Sequence, residues 1–183
     1  MRTFAGGEAR LWHLPREAKI AFSAYVAFTL LGLITAVLYS FELAGGGGLD
    51  GVRAYYGAQA AADDPEGPTI DLAPADERPL VVGVTYRTLL EASHFHLFTV
   101  PVLLLIVSHL FILAGLGRRA TVAWLLGAWG AALAHLAAPW AIHYGSKSLV
   151  PLMPITGAGM LLSIAVLCFV TTLRMWRPPA GAQ

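Results

Sequence analysis

Four long apolar segments dominate this chain of 183 residues. Each is longer than the ~20 residues that cross the hydrocarbon core of a bilayer as an α-helix. Their interiors carry no Lys, Arg, Asp or Glu. The sequence therefore predicts an all-α fold, an integral membrane four-helix bundle in a single membrane domain. The predicted helices run roughly over Ile20 to Leu43, Leu89 to Leu116, Ala120 to Tyr144 and Leu149 to Leu173.

A soluble protein with buried helices is excluded by composition and by size. The chain is 57% hydrophobic and only 13% charged, which is outside the range of ordinary soluble domains. A chain of 183 residues is also too short to surround four helices that are apolar on every side. The lipid bilayer is therefore the environment that this sequence requires.

The distribution of charge predicts the orientation of the helices. Eight of the twelve basic residues fall at one end, in the N-terminal arm, the second connection and the C-terminal tail. The first connection, about residues 44–88, holds seven acidic residues. Because Lys and Arg are enriched on the cytoplasmic side, we expect both termini in the cytoplasm and the long loop in the periplasm of a bacterial inner membrane. The net charge of +1 does not indicate a nucleic-acid partner.

The long loop gives few structural signals of its own. Gly45 to Gly48 predict a flexible exit from the first helix, and the Ala-, Pro- and acid-rich stretch that follows has little apolar periodicity. Its last part, LVVGVTYRTL, predicts a short strand or an extended strip against the bundle. An acidic periplasmic surface is also suited to attract a basic partner such as a soluble c-type cytochrome.

Five of the six histidines lie in or at the edge of the second and third apolar segments. An ionisable side chain inside a membrane marks a functional site by default, because its insertion into hydrocarbon is costly. The segment pair is expected to form an antiparallel hairpin, in which position n on one helix is level with roughly 235 − n on the other. The candidate site residues are His94, His96, His109, His135 and His143.

Depth and rotation divide these histidines. His94 is then nearly level with His143, with a stagger of ~3 Å, and His96 is staggered from His135 by ~6 Å. His109 lies alone on the cytoplasmic half, on the face that His94 occupies, whereas His96 faces almost the opposite way. Paired imidazoles on neighbouring apolar helices are the usual ligands of b-type haem in a membrane bundle.

A metal ion without porphyrin is the alternative for the same residues. Glu91 and His94 are one helical turn apart, as in the Glu-x-x-His pairs of di-iron bundles. Together with His143 they form a candidate site for copper, iron or zinc, since imidazole binds all three. His96 and His135 are the alternative ligands.

At this level the chain resembles small four-helix bacterial membrane cytochromes b, of the cytochrome b561 and hydrogenase-cytochrome-b kind. The shared features are the length, four spans, cytoplasmic termini, intramembrane histidines and the stretch RLWHLPREAK before the first helix. The first and fourth helices lack an intramembrane histidine, which departs from the two-haem pattern. The resemblance thus implies one haem b near the periplasmic side, held by His94 with His143 or by His96 with His135.

The resemblance also implies electron transfer between quinone or a partner complex and a cytochrome, rather than a stand-alone enzyme. A third interpretation is a non-catalytic anchoring or assembly subunit of a larger membrane complex. It rests on the small residues of the third and fourth helices, among them Gly127, Gly130 and Gly157, which let helices approach closely.

Overall fold

The computed structural model describes residues 10–43, 48–57 and 83–177. A 3-10 turn at Leu11–His13 precedes the first helix, and a π-helical turn at Ala141–Gly145 and a 3-10 turn at Lys147–Leu149 join the last two helices. No β-strand occurs in these residues. The α-helices of this part of the chain are α1 (Arg16–Leu43), α2 (Gly48–Gly57), α3 (Tyr86–Leu113), α4 (Arg118–Trp140) and α5 (Leu152–Trp176).

The structure confirms the helical integral membrane bundle. Four spans are long and apolar enough to cross a bilayer, and they are Arg16–Glu42, Tyr86–Leu113, Arg118–Gly145 and Lys147–Trp176. Their bounds differ from the predicted ones by a few residues. The helix α3 begins three residues earlier than expected because the Thr85 hydroxyl caps it, accepting a hydrogen bond from the Thr88 amide at 3.2 Å.

The helix α5 holds the bundle together, since it packs against α4, α3 and α1. The principal core lies where these four helices meet and includes Leu104, Phe111, Leu167 and Cys168, all fully buried. In each span, no more than 28% of the most apolar 18-residue stretch is buried inside the protein. The remaining apolar surface faces the lipid, as expected for a membrane bundle.

We call the end formed by the start of α1, the α3–α4 turn and the end of α5 the basic end, after its arginines and lysines. Here the 3-10 turn places Leu11 in a second buried cluster with Leu110, Ala114 and Met175. The α3–α4 turn passes through Gly115 at a φ of +72°, a conformation that favours glycine. The segment before α1 is therefore part of the packed structure.

The opposite end carries α2, which the sequence did not predict. We call it the α2 end. The helix α2 contacts α1 and the π-helical turn. Gly83–Thr85 form no regular secondary structure, Thr85 has extended backbone angles, and the Val84 amide donates to the Tyr55 carbonyl at 2.7 Å. Of the expected strand or strip, Tyr86 to Leu89 form the first turn of α3 instead, and residues 80–82 lie outside the described residues. The acidic stretch at 58–82 lies outside the described residues.

Candidate functional site

Two side-chain hydrogen bonds fix the register of α3 against α4. The Trp140 indole donates to the Ser93 hydroxyl at 2.7 Å, and the Trp129 indole donates to the Ser108 hydroxyl at 3.3 Å. Both pairs agree with the predicted antiparallel register to within two residues. His96 and His135 lie between these two bridges along the helices.

His96 lies on the side of α3 that faces the bundle. Helical periodicity places it in line with the buried or half-buried residues of this side, which recur every three or four positions. We call this row the buried stripe of α3, and its members are Leu89, Ser93, Val100, Leu104, Val107 and Phe111. The His96 side chain is nevertheless exposed. At His96, unlike the other positions of the stripe, none of the described neighbouring helices covers the side chain.

The His96 ring has a defined orientation and protonation pattern. Its Nδ1 atom lies 2.7 Å from the carbonyl oxygen of Ala92, one turn earlier in α3. A carbonyl oxygen only accepts hydrogen bonds, so Nδ1 carries the proton. In the neutral ring the Nε2 atom then keeps its lone pair and is available as a ligand.

His135 is half-buried on α4, against α5. Its Nδ1 lies 3.2 Å from the Thr156 hydroxyl oxygen, and that hydroxyl donates its own hydrogen to the Leu152 carbonyl at 2.6 Å. Thr156 therefore accepts from His135, which places the proton on Nδ1. A β-carbon added to Gly157 would lie 3.1 Å from the ring carbon Cε1, so the glycine provides the room in which the ring sits.

His96 and His135 lie at neighbouring levels of α3 and α4, between the same two indole–hydroxyl bridges. In both rings the hydrogen-bond partner places the proton on Nδ1. Two neutral imidazoles with free Nε2 atoms, each held through Nδ1 by a second group, form the donor set used by axial haem ligands and by many copper and zinc sites. The residues present thus fit a haem or a metal ion chemically.

His94 and Glu91 face away from this pair. His94 is exposed and contacts the rings of Phe95 and Phe98 on its own helix, with centroids 5.9 and 5.1 Å away. Glu91 accepts a hydrogen bond from the Arg87 guanidinium at 2.8 Å, also on the exposed surface. Among the described residues no three His, Cys, Asp or Glu side chains are placed to share a metal ion. Glu91, His94 and His143 are thus not gathered as the metal alternative requires.

His143 holds α2 rather than a partner on α3. It lies in the π-helical turn, and its Nδ1 is 3.3 Å from the Tyr56 carbonyl oxygen. The carbonyls of the last turn of a helix lack intrahelical partners, and here those of Tyr55 and Tyr56 are satisfied by the Val84 amide and by His143. The structure therefore directs His94 and His143 to different neighbours, although their depths match.

Tyr56 packs tightly where α2 meets the bundle. Burial raises the pKa of its hydroxyl to about 12, with smaller contributions from Tyr55 and Tyr39. Burial likewise raises the pKa of Tyr55. Both tyrosines are therefore neutral at physiological pH, and the C-terminal half of α2 is docked rather than freely solvated.

His109 stands apart from the other histidines, as the depth argument predicts. It is exposed and lies on the side of α3 opposite the buried stripe. Its Nδ1 is 2.8 Å from the Leu105 carbonyl oxygen. It lies on the other half of α3 from His96, and we assign it no part in the proposed site.

Sequence reasoning missed three residues that position the candidate side chains. Thr156 bonds to His135, Ser93 bonds to Trp140, and Tyr56 bonds to His143. Thr156 gives no signal in the sequence, because a threonine in an apolar helix usually bonds only to its own backbone. Tyr56 lies in a loop without apolar periodicity. Gly157 was identified only as a small packing residue, although a glycine level with a membrane histidine is a signal for close approach.

Comparison with known proteins adds a family but no activity. Residues 51–182 match the family model Aq_1264_TM, described as a transmembrane helical domain. The match takes in most of α2 and all of α3, α4 and α5. No curated protein and no solved structure matches the chain. The matched region covers well over half of the sequence, and the chain belongs to the Aq_1264_TM family of transmembrane helical domains.

Proposed function

We propose that this protein is a membrane electron-transfer subunit that binds one haem b through His96 and His135. One observation carries the proposal. His96 lies on the buried stripe of α3, yet its side chain is exposed, and the half-buried His135 of α4 lies with it between the same two indole–hydroxyl bridges. A histidine on the packed side of a membrane helix is costly unless something binds it. A flat cofactor that enters between the helices at this level supplies that partner.

The chain's own groups hold both candidate ligands in a ligating state. The Ala92 carbonyl and the Thr156 hydroxyl fix the Nδ1 protons, so the two Nε2 lone pairs would hold a haem iron. Bound haem supplies a reversible one-electron change at its iron. The surrounding apolar helices exclude water, and the Trp140–Ser93 hydrogen bond closes the site towards the α2 end.

This assignment selects the second of the two pairs that the sequence offered. His94 with His143 match best in depth, but His94 lies off the buried stripe of α3 and His143 serves the end of α2. His109 would be needed for a second haem, and it points away from the bundle on the far half of α3. We therefore propose one haem and not two.

The charge distribution gives the proposed orientation of the site in the membrane. With the basic end in the cytoplasm of a bacterial inner membrane, His96 and His135 lie in the periplasmic half. Electrons would then pass between quinone or a partner membrane complex and a c-type cytochrome outside, and the acidic loop would attract that basic partner.

Haem and metal content of the purified protein test this proposal. We expect a reduced-minus-oxidised visible spectrum with a sharp α-band and about one haem per chain. His96→Ala and His135→Ala should lose most of the haem, whereas the matched variants His94→Ala and His109→Ala should retain it. Stoichiometric copper, iron or zinc without porphyrin would contradict the haem and support the metal site. A protein that contains neither haem nor metal would refute electron transfer.

A second candidate function is that of an assembly subunit. One exposed stripe of α4 consists of small residues, and a β-carbon added to Gly127 or Gly130 would meet only open space. Such faces let membrane helices associate closely. If the protein is an assembly subunit, Gly130→Leu should dissociate it from membrane partners in native gels, while haem content stays unchanged. The small exposed residues are Ala123, Gly127, Gly130, Ala134 and Ala137.

A further inference from the structure

The basic end of the bundle carries cations that no carboxylate neutralises in the described part of the chain. The described residues form two salt bridges, Arg53–Asp50 and Arg87–Glu91, and both lie towards the α2 end. Glu17 is the acidic residue that the described chain has at the basic end. Within the described residues, this end therefore has a surplus of positive charge that attracts anions. The cations are Arg10, Arg16, Lys19, Arg118, Arg119, Arg174 and Arg177.

A groove opens at this end on the lipid-facing side of α5. Its volume is about 380 Å³, and its lining is largely apolar. Phe169, Leu173 and Trp176 form the apolar part and are all exposed, Phe169 by 67%. Thr172 and Arg177 complete the lining, and the Arg177 side chain is also exposed. The groove therefore runs from the apolar surface of the span to a cation at its end.

The rim of the groove is built from α1 as well as α5. The Trp176 indole donates to the Ser23 hydroxyl at 3.0 Å, which holds the ring against α1. The Lys19 ammonium lies 5.9 Å from the centroid of the same ring and donates to the Trp12 carbonyl at 2.9 Å. The Trp176 indole thus lies between Lys19 of α1 and the end of α5. Tryptophan is usually found at this depth, beside the lipid headgroups.

From this geometry we infer that the groove is a binding site for one anionic phospholipid. An acyl chain lies along Phe169 and Leu173, and the phosphate group lies at the rim near Arg177 and Lys19. A phospholipid is the occupant that matches both parts, because its apolar chain and its anionic group are joined at the same membrane depth as the groove and its cation. This site is independent of the proposed haem function.

Lipid titration of the purified full-length protein in neutral detergent tests the inference. We expect phosphatidylglycerol to raise the unfolding temperature and to remain bound as a single adduct in native mass spectrometry. Phosphatidylcholine with the same acyl chains should do neither. Arg177→Gln should weaken phosphatidylglycerol binding about fivefold, the loss typical of one cation near a lipid surface. Because the Arg177 side chain is exposed, this variant is expected to fold.

The matched control is Arg119→Gln, which removes an exposed cation at the same end but outside the groove. We expect it to leave the affinity unchanged. Equal losses in both variants would show a diffuse charge effect and overturn the site. Protection by inorganic phosphate alone, or by phosphatidylcholine to the same extent, would also overturn it. Trp176→Phe keeps every charge but loses the Ser23 hydrogen bond, and it should weaken binding if the ordered rim matters.

Discussion

The protonation of the two paired histidines follows from their immediate neighbours. The acceptors at Nδ1 are the Ala92 carbonyl for His96 and the Thr156 hydroxyl for His135. A backbone carbonyl as the acceptor for His96 was predictable, since a helical residue lies beside the carbonyl four positions earlier. The second depends on how α4 packs on α5, which residue types alone do not encode. The sequence thus revealed the ligand candidates but not the groups that orient them.

Gly157 tests the packing of His135 directly. In Gly157→Ala the new β-carbon would lie 3.1 Å from the imidazole, so the ring or the helix must shift. We expect thermal unfolding to show a loss of about 1–3 kcal/mol, as for other overpacked positions.

Gly127→Ala is the matched control for this substitution. It also lies in a membrane helix, but its added methyl group meets open space. We expect no loss here, and a gain of up to about 1 kcal/mol from helix propensity. Equal effects of the two substitutions would contradict the close contact between Gly157 and His135.

Thr171 offers a second test at the level of single atoms. The residue is fully buried, and its hydroxyl oxygen finds no hydrogen-bond partner in the described structure. Removing a buried, unpaired polar group while keeping the shape is favourable. Thr171→Val should therefore raise the free energy of unfolding by about 1 kcal/mol.

The neighbouring Thr172 provides the comparison. Its hydroxyl donates to the Cys168 carbonyl at 2.9 Å, so Thr172→Val removes a hydrogen bond that is made. Differential scanning fluorimetry in detergent should rank Thr171→Val above the wild type and Thr172→Val at or below it. The reverse order would show that the Thr171 hydroxyl is satisfied.

Among the elements, the sequence predicted the register of the α3–α4 hairpin but not which side of α3 faces the bundle. A rise of 1.5 Å per residue and a short turn were enough to predict the register, which the Ser93–Trp140 and Ser108–Trp129 bonds match. Facing required knowing which side of α3 the other helices cover. For that reason depth and helical periodicity favoured His94 with His143, whereas the buried stripe favours His96.

A double-mutant cycle measures whether this register is present in the membrane. Ser93→Ala and Trp140→Phe remove the two partners of a 2.7 Å hydrogen bond. We expect a coupling free energy of about 0.6–1.7 kcal/mol, the range found for hydrogen bonds between membrane helices. The cycle of Ser93→Ala with Trp129→Phe joins residues that do not bond to each other and should give none. Equal coupling in the two cycles would contradict the register.

The docking of α2 depended on contacts that its sequence does not signal, and pH tests it. The pKa of Tyr56 is raised to about 12 because the docked hydroxyl is buried, whereas an undocked tyrosine ionises near 10. The docked state therefore binds the proton more tightly. Its stability is fully present below about pH 10 and is lost as the pH rises towards 12.

Limited proteolysis of α2 across this pH range provides the measurement. Cleavage should rise steeply between about pH 10 and 12 in the wild type. Tyr56→Phe should flatten this dependence, and Tyr144→Phe, which changes an exposed ring, should leave it intact. A wild-type profile that does not change with pH would contradict the buried position of Tyr56.

For the whole molecule, the fold was the property that the sequence predicted best, and the haem stays a proposal. Four apolar segments without interior charge dictate four spanning helices, because the bilayer leaves few alternatives for a polypeptide backbone. The same apolar surface says little about rotation, since a lipid-facing and a protein-facing leucine look alike in sequence. The histidines are the residues that break this symmetry, and the proposed functions differ in the role that they assign to them.

The axial ligation of the haem tests the central claim most directly. Electron paramagnetic resonance of the oxidised, purified protein should show low-spin ferric haem, as expected for two imidazole ligands. In His96→Ala and His135→Ala, residual or added haem should become high-spin, because one ligand is missing. A low-spin signal that survives in both variants and disappears in His94→Ala or His143→Ala would contradict the account.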